Sequence, residues 1–465
     1  MSITAGFMVP HPPLIIPQVG RGEEQKIQET IDAYRQVGRE IASLKPETIV
    51  VASPHNPMYR DYFHIRKEKL LSGNFAQFRA GLVEVEACGD SEFVRELCRA
   101  AEQEKIPAGT EGSRGKELDH GTMIPLYFVN QFYQDYRVVC MGLSGLPLAM
   151  HYQLGQAVQR VARKLGRKTV VIASGDLSHY LKKDGPYGYR QEGPEYDRRI
   201  MDVMGEARFG ELLEFGEDFC TQAGECGHRA FTIMAGALDG LQVQAEKLSY
   251  QGTFGVGYGI CTYHVTGENP ERSFLSQYVK KMEERVLEQR KEEDAYVSLA
   301  RKSLEYYIAT GMYLKLPEGL PHEMLEKQAG AFVSIHMDGD LRGCIGTILP
   351  VHKNIAQEII ENAVSAGIRD PRFSAVTERE LKRLVYSVDV LEVPERIDSI
   401  LELDVKNYGV IVTKGRKRGL LLPDLAGVDT PQQQVVIAKQ KAGISVDDQD
   451  VILERFRVVR HGEKS

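Results

Sequence analysis

The sequence predicts two α/β domains joined by a helical connector, on three observations. Apolar strand-like runs alternate with helical patterns from residue 1 to about 267. A second alternation fills about 295–461. Between them lies a charge-dense stretch whose apolar positions recur at helical spacing. In the first of these the alternation favours a layered fold with a largely parallel sheet. A chain of 465 residues is long enough for two or three domains.

In the first domain, 1–267, the strand runs are 3–7, 48–53, 137–142 and 169–174, with β-rich stretches at 243–250 and 257–266. Helical periodicity falls near 23–44, 91–104, 150–165, 195–204 and 228–239. The loops 56–82 and 180–196 carry no clear period. The connector, 268–294, is rich in Lys, Arg and Glu and reads as a solvated helix. In the second domain, 295–465, a strand at 331–337 ends in the turn Asp338-Gly339-Asp340. A helix is expected at 353–367, strands at 384–391, 409–413 and 419–423, and a helix at 431–442.

Composition narrows the function classes. Hydrophobic residues make up 42% and charged residues 26%, as in soluble globular proteins. The net charge of −7 supplies no global basic field to hold nucleic acid. No apolar run has the length of a membrane span, and the N-terminus lacks the pattern of a signal peptide, so a cytoplasmic protein is expected. The cysteines, Cys88, Cys98, Cys140, Cys220, Cys226, Cys261 and Cys344, show no CxxC pairing. Free thiols are expected of so scattered a set.

The chemistry is carried by histidines just past strand runs. His11 stands in Pro10-His11-Pro12-Pro13, and His55 in Pro54-His55-Asn56-Pro57. Flanking prolines restrict the backbone and bias it away from helix, fixing where an imidazole points. In open α/β sheets ligands bind beyond the carboxyl ends of the strands. His179 closes Ser174-Gly175-Asp176-Leu177-Ser178-His179, three residues after Asp176. It could be a ligand or a general acid/base, with Asp176 orienting it or ligating metal itself. Glu225, Cys226 and His228 offer three donors in one short stretch, and His120 sits in Asp119-His120-Gly121-Thr122. Two imidazoles and a carboxylate leave open positions on a ferrous ion, whereas a thiolate favours softer ions. The competing reading makes each a loop histidine bonded to nearby carbonyls. The other histidines, His64, His151, His264, His322, His336, His352 and His461, lack such framing. The loop Lys183-Asp184-Gly185-Pro186-Tyr187-Gly188-Tyr189 reads either as a surface loop or as a cover over an aromatic substrate.

On Pro10-His11-Pro12-Pro13, Ser53-Pro54-His55-Asn56, the run Leu118 to Leu126 and Ser174 to His179, the first domain resembles the catalytic subunit of class III extradiol dioxygenases and the related Memo-like proteins. The dioxygenase resemblance implies Fe(II) held by His11, His55 and Glu225, with His179 as acid/base and His120 in the substrate pocket. The Memo-like resemblance places Asp176, His179 and Cys226 in the metal pocket, making Cys226 the alternative to Glu225. Zinc or copper are the other divalent candidates. The substrates implied are O2 and an aromatic small molecule, and relatives of this domain often associate, implying a homodimer.

The second domain resembles AmmeMemoRadiSam system protein A. The matching pieces are Leu341-Arg342-Gly343-Cys344-Ile345-Gly346, Asp370-Pro371-Arg372-Phe373, Gly419 to Pro423 and Thr430 to Ile444. That resemblance implies a radical SAM protein as partner, since no Cx3CxxC motif occurs here. Arg342 offers a fork for an anion and Cys344 a nucleophile, with Arg369, Asp370 and Arg372 as a second charged cluster. The alternative is a tight structural turn with an inert thiol. Two functional readings follow: a non-haem iron oxygenase of the ring-cleavage type, and a Memo-like metal or redox protein working with a radical SAM enzyme.

Overall fold

A computed structural model describes residues 2–112, 117–425 and 427–462. The chain divides into two compact units, Met1–Val279 and Lys280–Ser465. In the first unit the strands are β1 (Ile3–Val9), β2 (Thr48–Ser53), β3 (Phe63–His64), β4 (Leu70–Phe75), β5 (Ala80–Gly89), β6 (Ala108–Gly109), β7 (Arg137–Gly142), β8 (Thr169–Ser174), β9 (Leu241–Gln251) and β10 (Tyr258–Glu268). Eight of them form one sheet in the order β4-β5-β7-β2-β8-β1-β10-β9. The five central strands β5, β7, β2, β8 and β1 run parallel, and an antiparallel hairpin closes each side.

Every residue of β2 and β8 is buried, which is why both read as unbroken apolar runs. Successive side chains point to opposite faces. Val50, Ala52, Val171 and Ala173 therefore pack on one side with Tyr152, Val158, Phe231 and Met234 from helices Leu148–Leu165 and His228–Ala237. Ile49, Val51, Val170 and Ile172 pack on the other with Ile31, Tyr34, Ile124 and Phe128 from helices Gln28–Leu44 and His120–Asn130. The hairpin β4–β5 begins inside the expected loop 56–82, and residues 120–130, for which no element was expected, are helical despite Pro125.

In the second unit the strands are β11 (Ala331–Met337), β12 (Asp340–Gly346), β13 (Leu384–Leu391), β14 (Glu395–Ile397), β15 (Gly409–Lys414), β16 (Lys417–Leu421), β17 (Ile452–Phe456) and β18 (Val458–His461). They form two four-stranded sheets, β12-β11-β13-β18 and β14-β17-β15-β16, with every pairing antiparallel. The turn Asp338-Gly339 has φ of 56° and 95°, the left-handed pair of a tight two-residue hairpin. Helices Ala295–Thr310 and Ile355–Ile368 cover the first sheet, and Pro431–Ala442 packs on the second. The connector region holds the helix Phe274–Gln289, then Asp294 capping the next helix. Among the described residues no helix is long and apolar enough to cross a membrane.

Candidate metal centre

Strands β2, β8 and β1 are neighbours that end level, with Val9 paired to Ser174 and Ala52 to Ala173. His11, His55 and the segment from Ser174 to His179 therefore leave the sheet side by side. His11 and His55 meet with their Nε2 atoms 3.0 Å apart. His120 joins them from the N-terminus of its helix, and one ring nitrogen from each of the three lies within 4.8 Å of the others. Asp119 caps that helix, accepting the Thr122 N–H at 3.0 Å and the Ser53 hydroxyl at 2.6 Å. Gly121 makes the approach feasible, since a Cβ there would stand 2.4 Å from Ser53 Oγ.

The tautomer of His11 follows from its neighbours. Pro125 has no N–H, so the Gly121 carbonyl four residues earlier lacks its usual helical donor. The Ser174 hydroxyl donates to that carbonyl at 2.5 Å. With its proton so used, Ser174 Oγ accepts from His11 Nδ1 at 3.0 Å. His11 therefore carries its proton on Nδ1 and a lone pair on Nε2, facing His55. Burial holds the pKa of His11 well below the ordinary imidazole range, lowers that of His55, and pushes His120 down to about 3. Three imidazoles that burial keeps neutral bring a ring nitrogen each to one place, with His55 Nε2 donating to His11 Nε2 where a metal would replace the shared proton. This donor set suits zinc, copper or iron, so the residues fit a divalent metal.

The structure sorts the sequence-predicted residues. Glu225 lies outside the three-histidine group: its Oε2 accepts the His228 N–H at 2.6 Å, at the start of helix His228–Ala237. Burial pushes its pKa up to about 7. Its neighbour Cys226 approaches instead, with Sγ 3.6 Å from His11 Nε2. This is possible because Gly175 and Gly227 touch: a Cβ on Gly175 would stand 2.0 Å from Gly227 Cα. The Cys226 thiol accepts the Asp176 N–H at 3.3 Å, and burial raises its pKa well above the ordinary value. His228 points away, bonded to Tyr196 and the Leu212 carbonyl.

The expected orienting role of Asp176 goes to other atoms. Asp176 Oδ1 accepts the His11 N–H at 2.7 Å, fixing the backbone of His11 rather than the ring of His179. His179 Nδ1 meets the Gly224 carbonyl at 2.5 Å. A carbonyl only accepts, so Nδ1 holds the proton and, in the neutral ring, Nε2 carries the lone pair. Sequence reading missed Ser174 as the partner of His11, and the Gly121 carbonyl, left open by Pro125, as the acceptor that sets the direction of the Ser174 hydroxyl; the one local signal was the capping pair Asp119 and Thr122.

In the second unit Cys344, Asp370 and Arg372 come together in a hydrogen-bonded clamp, while Arg342 is held by other partners. Asp370 Oδ2 accepts the Cys344 N–H at 2.9 Å and the Arg372 guanidinium at 2.7 Å. Arg372 also donates to the Cys344 carbonyl at 3.3 Å. Arg342 is engaged by Glu380 at 2.7 Å and the Ser374 carbonyl at 2.9 Å, so its fork is occupied. Burial pushes the Cys344 thiol up, the opposite of an activated nucleophile. Arg372 holds the Asp370 carboxyl down at about 2.

Comparison with known proteins agrees with this architecture. Residues 5–261 match the family described as the catalytic LigB subunit of aromatic ring-opening dioxygenase, and residues 297–461 match AMMECR1. The chain belongs to the LigB family, with an AMMECR1-like domain fused behind the catalytic-type domain. A Clostridium acetobutylicum protein is 41% identical over 471 residues, covering 100% of both chains. A Thermotoga maritima protein is 50% identical over 170 residues, 36% of this chain and 98% of its own. The crystal structure of a Pyrococcus horikoshii protein covers 36% of this chain and 88% of its own at 31% identity, with a TM-score of 0.34.

Proposed function

We propose that the first domain is a non-haem Fe(II)-dependent oxygenase of the extradiol ring-cleavage type, acting on an aromatic or phenolic small molecule. The observation that carries this reading is the group His11, His55 and His120, whose neutral ring nitrogens converge at the carboxyl ends of a parallel sheet. The family match over 5–261 supports it. A ferrous ion there would supply Lewis acidity toward two adjacent phenolic oxygens and the one-electron chemistry that O2 requires.

The chain's own residues do the rest. His11 and His55 offer Nε2 lone pairs, with His120 as third donor. His179, its Nδ1 proton committed to Gly224, presents Nε2 to take a phenolic proton and to return it later in the reaction. Asp176 holds the His11 backbone, and Ser174 holds its ring. The second domain's resemblance supports a radical SAM protein as partner.

A specific observation favours a second reading. Cys226 rather than Glu225 stands against His11, which suits a Memo-like metal or redox protein without ring cleavage, working with a radical SAM enzyme on a small molecule or protein.

The experiment is metal content after anaerobic purification, followed by O2 uptake with a panel of catechols on the Fe(II)-loaded protein. Stoichiometric iron with diol-dependent uptake and a ring-opened product is expected. Bound metal with no diol-dependent uptake, together with altered metal spectra in Cys226→Ser, would establish the second reading instead.

A further inference from the structure

We propose that Tyr187 is the specificity-determining residue of this site, its ring forming the wall on which the aromatic ring of the substrate packs beside His179. The inference rests on the oxygenase reading above and deepens it.

Residues 180–190 form a small hairpin. The Arg190 N–H bonds the Tyr180 carbonyl at 3.1 Å, and Leu181 pairs antiparallel with Tyr189. The hairpin is docked on the β9–β10 turn. The Leu181 N–H donates to the Gly255 carbonyl at 3.1 Å, and Lys182 Nζ donates to the Thr253 carbonyl at 2.8 Å. Gly185 and Gly255 pack glycine on glycine, so that a Cβ on Gly255 would stand 3.2 Å from Gly185 Cα. A hairpin held at these points presents its side chains from a fixed place.

What it presents is an aromatic ring in water. Tyr187 is 59% exposed, yet its ring stands edge-on to His179, with centroids 5.2 Å apart and planes at 83°. Within the histidine group itself, Phe78 stands edge-on to His120 at 5.3 Å. A substrate hydroxyl bonded to His179 Nε2 carries its own ring into the neighbourhood of Tyr187. There an edge-to-face or offset contact is available to an aromatic ring and lacking to an aliphatic chelator.

The test uses the full chain loaded with zinc, which is redox-silent, and isothermal titration with two probes. One is 4-nitrocatechol, an aromatic chelator; the other is acetohydroxamate, an aliphatic one. In Tyr187→Ala the affinity for 4-nitrocatechol is expected to fall about three- to tenfold, the range of a lost aromatic pair, while acetohydroxamate binding is unchanged. Tyr187→Phe is expected to bind both as wild type does. Undiminished 4-nitrocatechol binding in Tyr187→Ala overturns the proposal and leaves the oxygenase reading standing. Equal loss of both probes also overturns it, assigning Tyr187 a structural role. Failure of the wild-type protein to bind 4-nitrocatechol overturns both.

Discussion

Whether an imidazole can ligate a metal depends on which nitrogen holds the proton, and for His11 that is decided by Ser174 and the carbonyl that Pro125 leaves open. Such partners typically tune metal affinity by 10- to 100-fold. Ser174→Ala is therefore expected to weaken zinc or Fe(II) binding by about that factor without unfolding the domain, as read by chelator competition. Glu225 gives the contrasting case. An amide oxygen can still accept the His228 N–H, so Glu225→Gln is expected to keep its metal while His55→Ala loses it. Equal loss of metal in the two variants would make the carboxylate a ligand after all. His11 and His55 were legible in the sequence because proline frames and strand ends are local signals. The Ser174 contact was not, because it joins residues 163 apart and depends on two strands ending level. Glu225 and Cys226 differ by one position, and the Gly175–Gly227 approach and the bonds to the His228 and Asp176 N–H groups, none of them a local sequence signal, set which faces His11.

Elements with strong local signals were legible almost to the residue: the apolar runs of β2, β7 and β8, the amphipathic helix Ser91–Glu104 and the Thr430-capped helix Pro431–Ala442. The hairpin β4–β5 was not. Its β5 strand has exposed and half-buried residues at most positions, so the hydrophobic alternation that marks a half-buried strand is faint. Helix Glu192–Gly205 shows how an element outside the centre reaches it. Its Asp197 accepts the Ser178 N–H at 2.8 Å and the Tyr250 hydroxyl at 2.8 Å, tying the segment before His179 to β9. Burial pushes the Asp197 carboxyl up to about 7. Its folded pKa lies above its unfolded value near 4, so between about 4 and 7 the folded state binds more protons. This group's contribution to stability therefore falls as pH rises through that window and levels off above it. Asp197→Asn removes the dependence while keeping an acceptor for Ser178. Urea denaturation at pH about 5 and about 8 is expected to show the stability difference moving toward the variant, by up to about 1.4 kcal/mol per pH unit within the window. A difference that does not move with pH would refute the assignment.

At the scale of the whole chain, the two units are each closed around their own apolar clusters, and the charge-dense stretch read as one connector is shared out between them. Phe274, Leu275 and Tyr278 pack into the first unit's core. Further along, Arg290 donates to the Leu381 carbonyl and pairs with Glu305 at 3.5 Å. Glu293 holds Arg301 through both carboxylate oxygens, at 2.9 and 3.0 Å, and Val286 is 6% exposed. The bonds of Arg290 and Glu293 are to second-unit residues and Val286 lies in the same unit, and a fragment beginning at residue 295 lacks all three residues. A fragment of residues 280–465 is therefore expected to fold alone and melt cooperatively. A fragment of residues 295–465 is expected to be less stable by about 2–4 kcal/mol, the scale of one buried valine side chain and a few charge-assisted hydrogen bonds. Denaturant titration of the two fragments measures this. Equal midpoints would return 280–294 to the role of a solvated linker. Amide exchange in the full chain supplies an independent readout, because protection at Arg290 and Val286 should follow that of the sheet containing β13, whereas a free connector would exchange at the rate of an exposed helix.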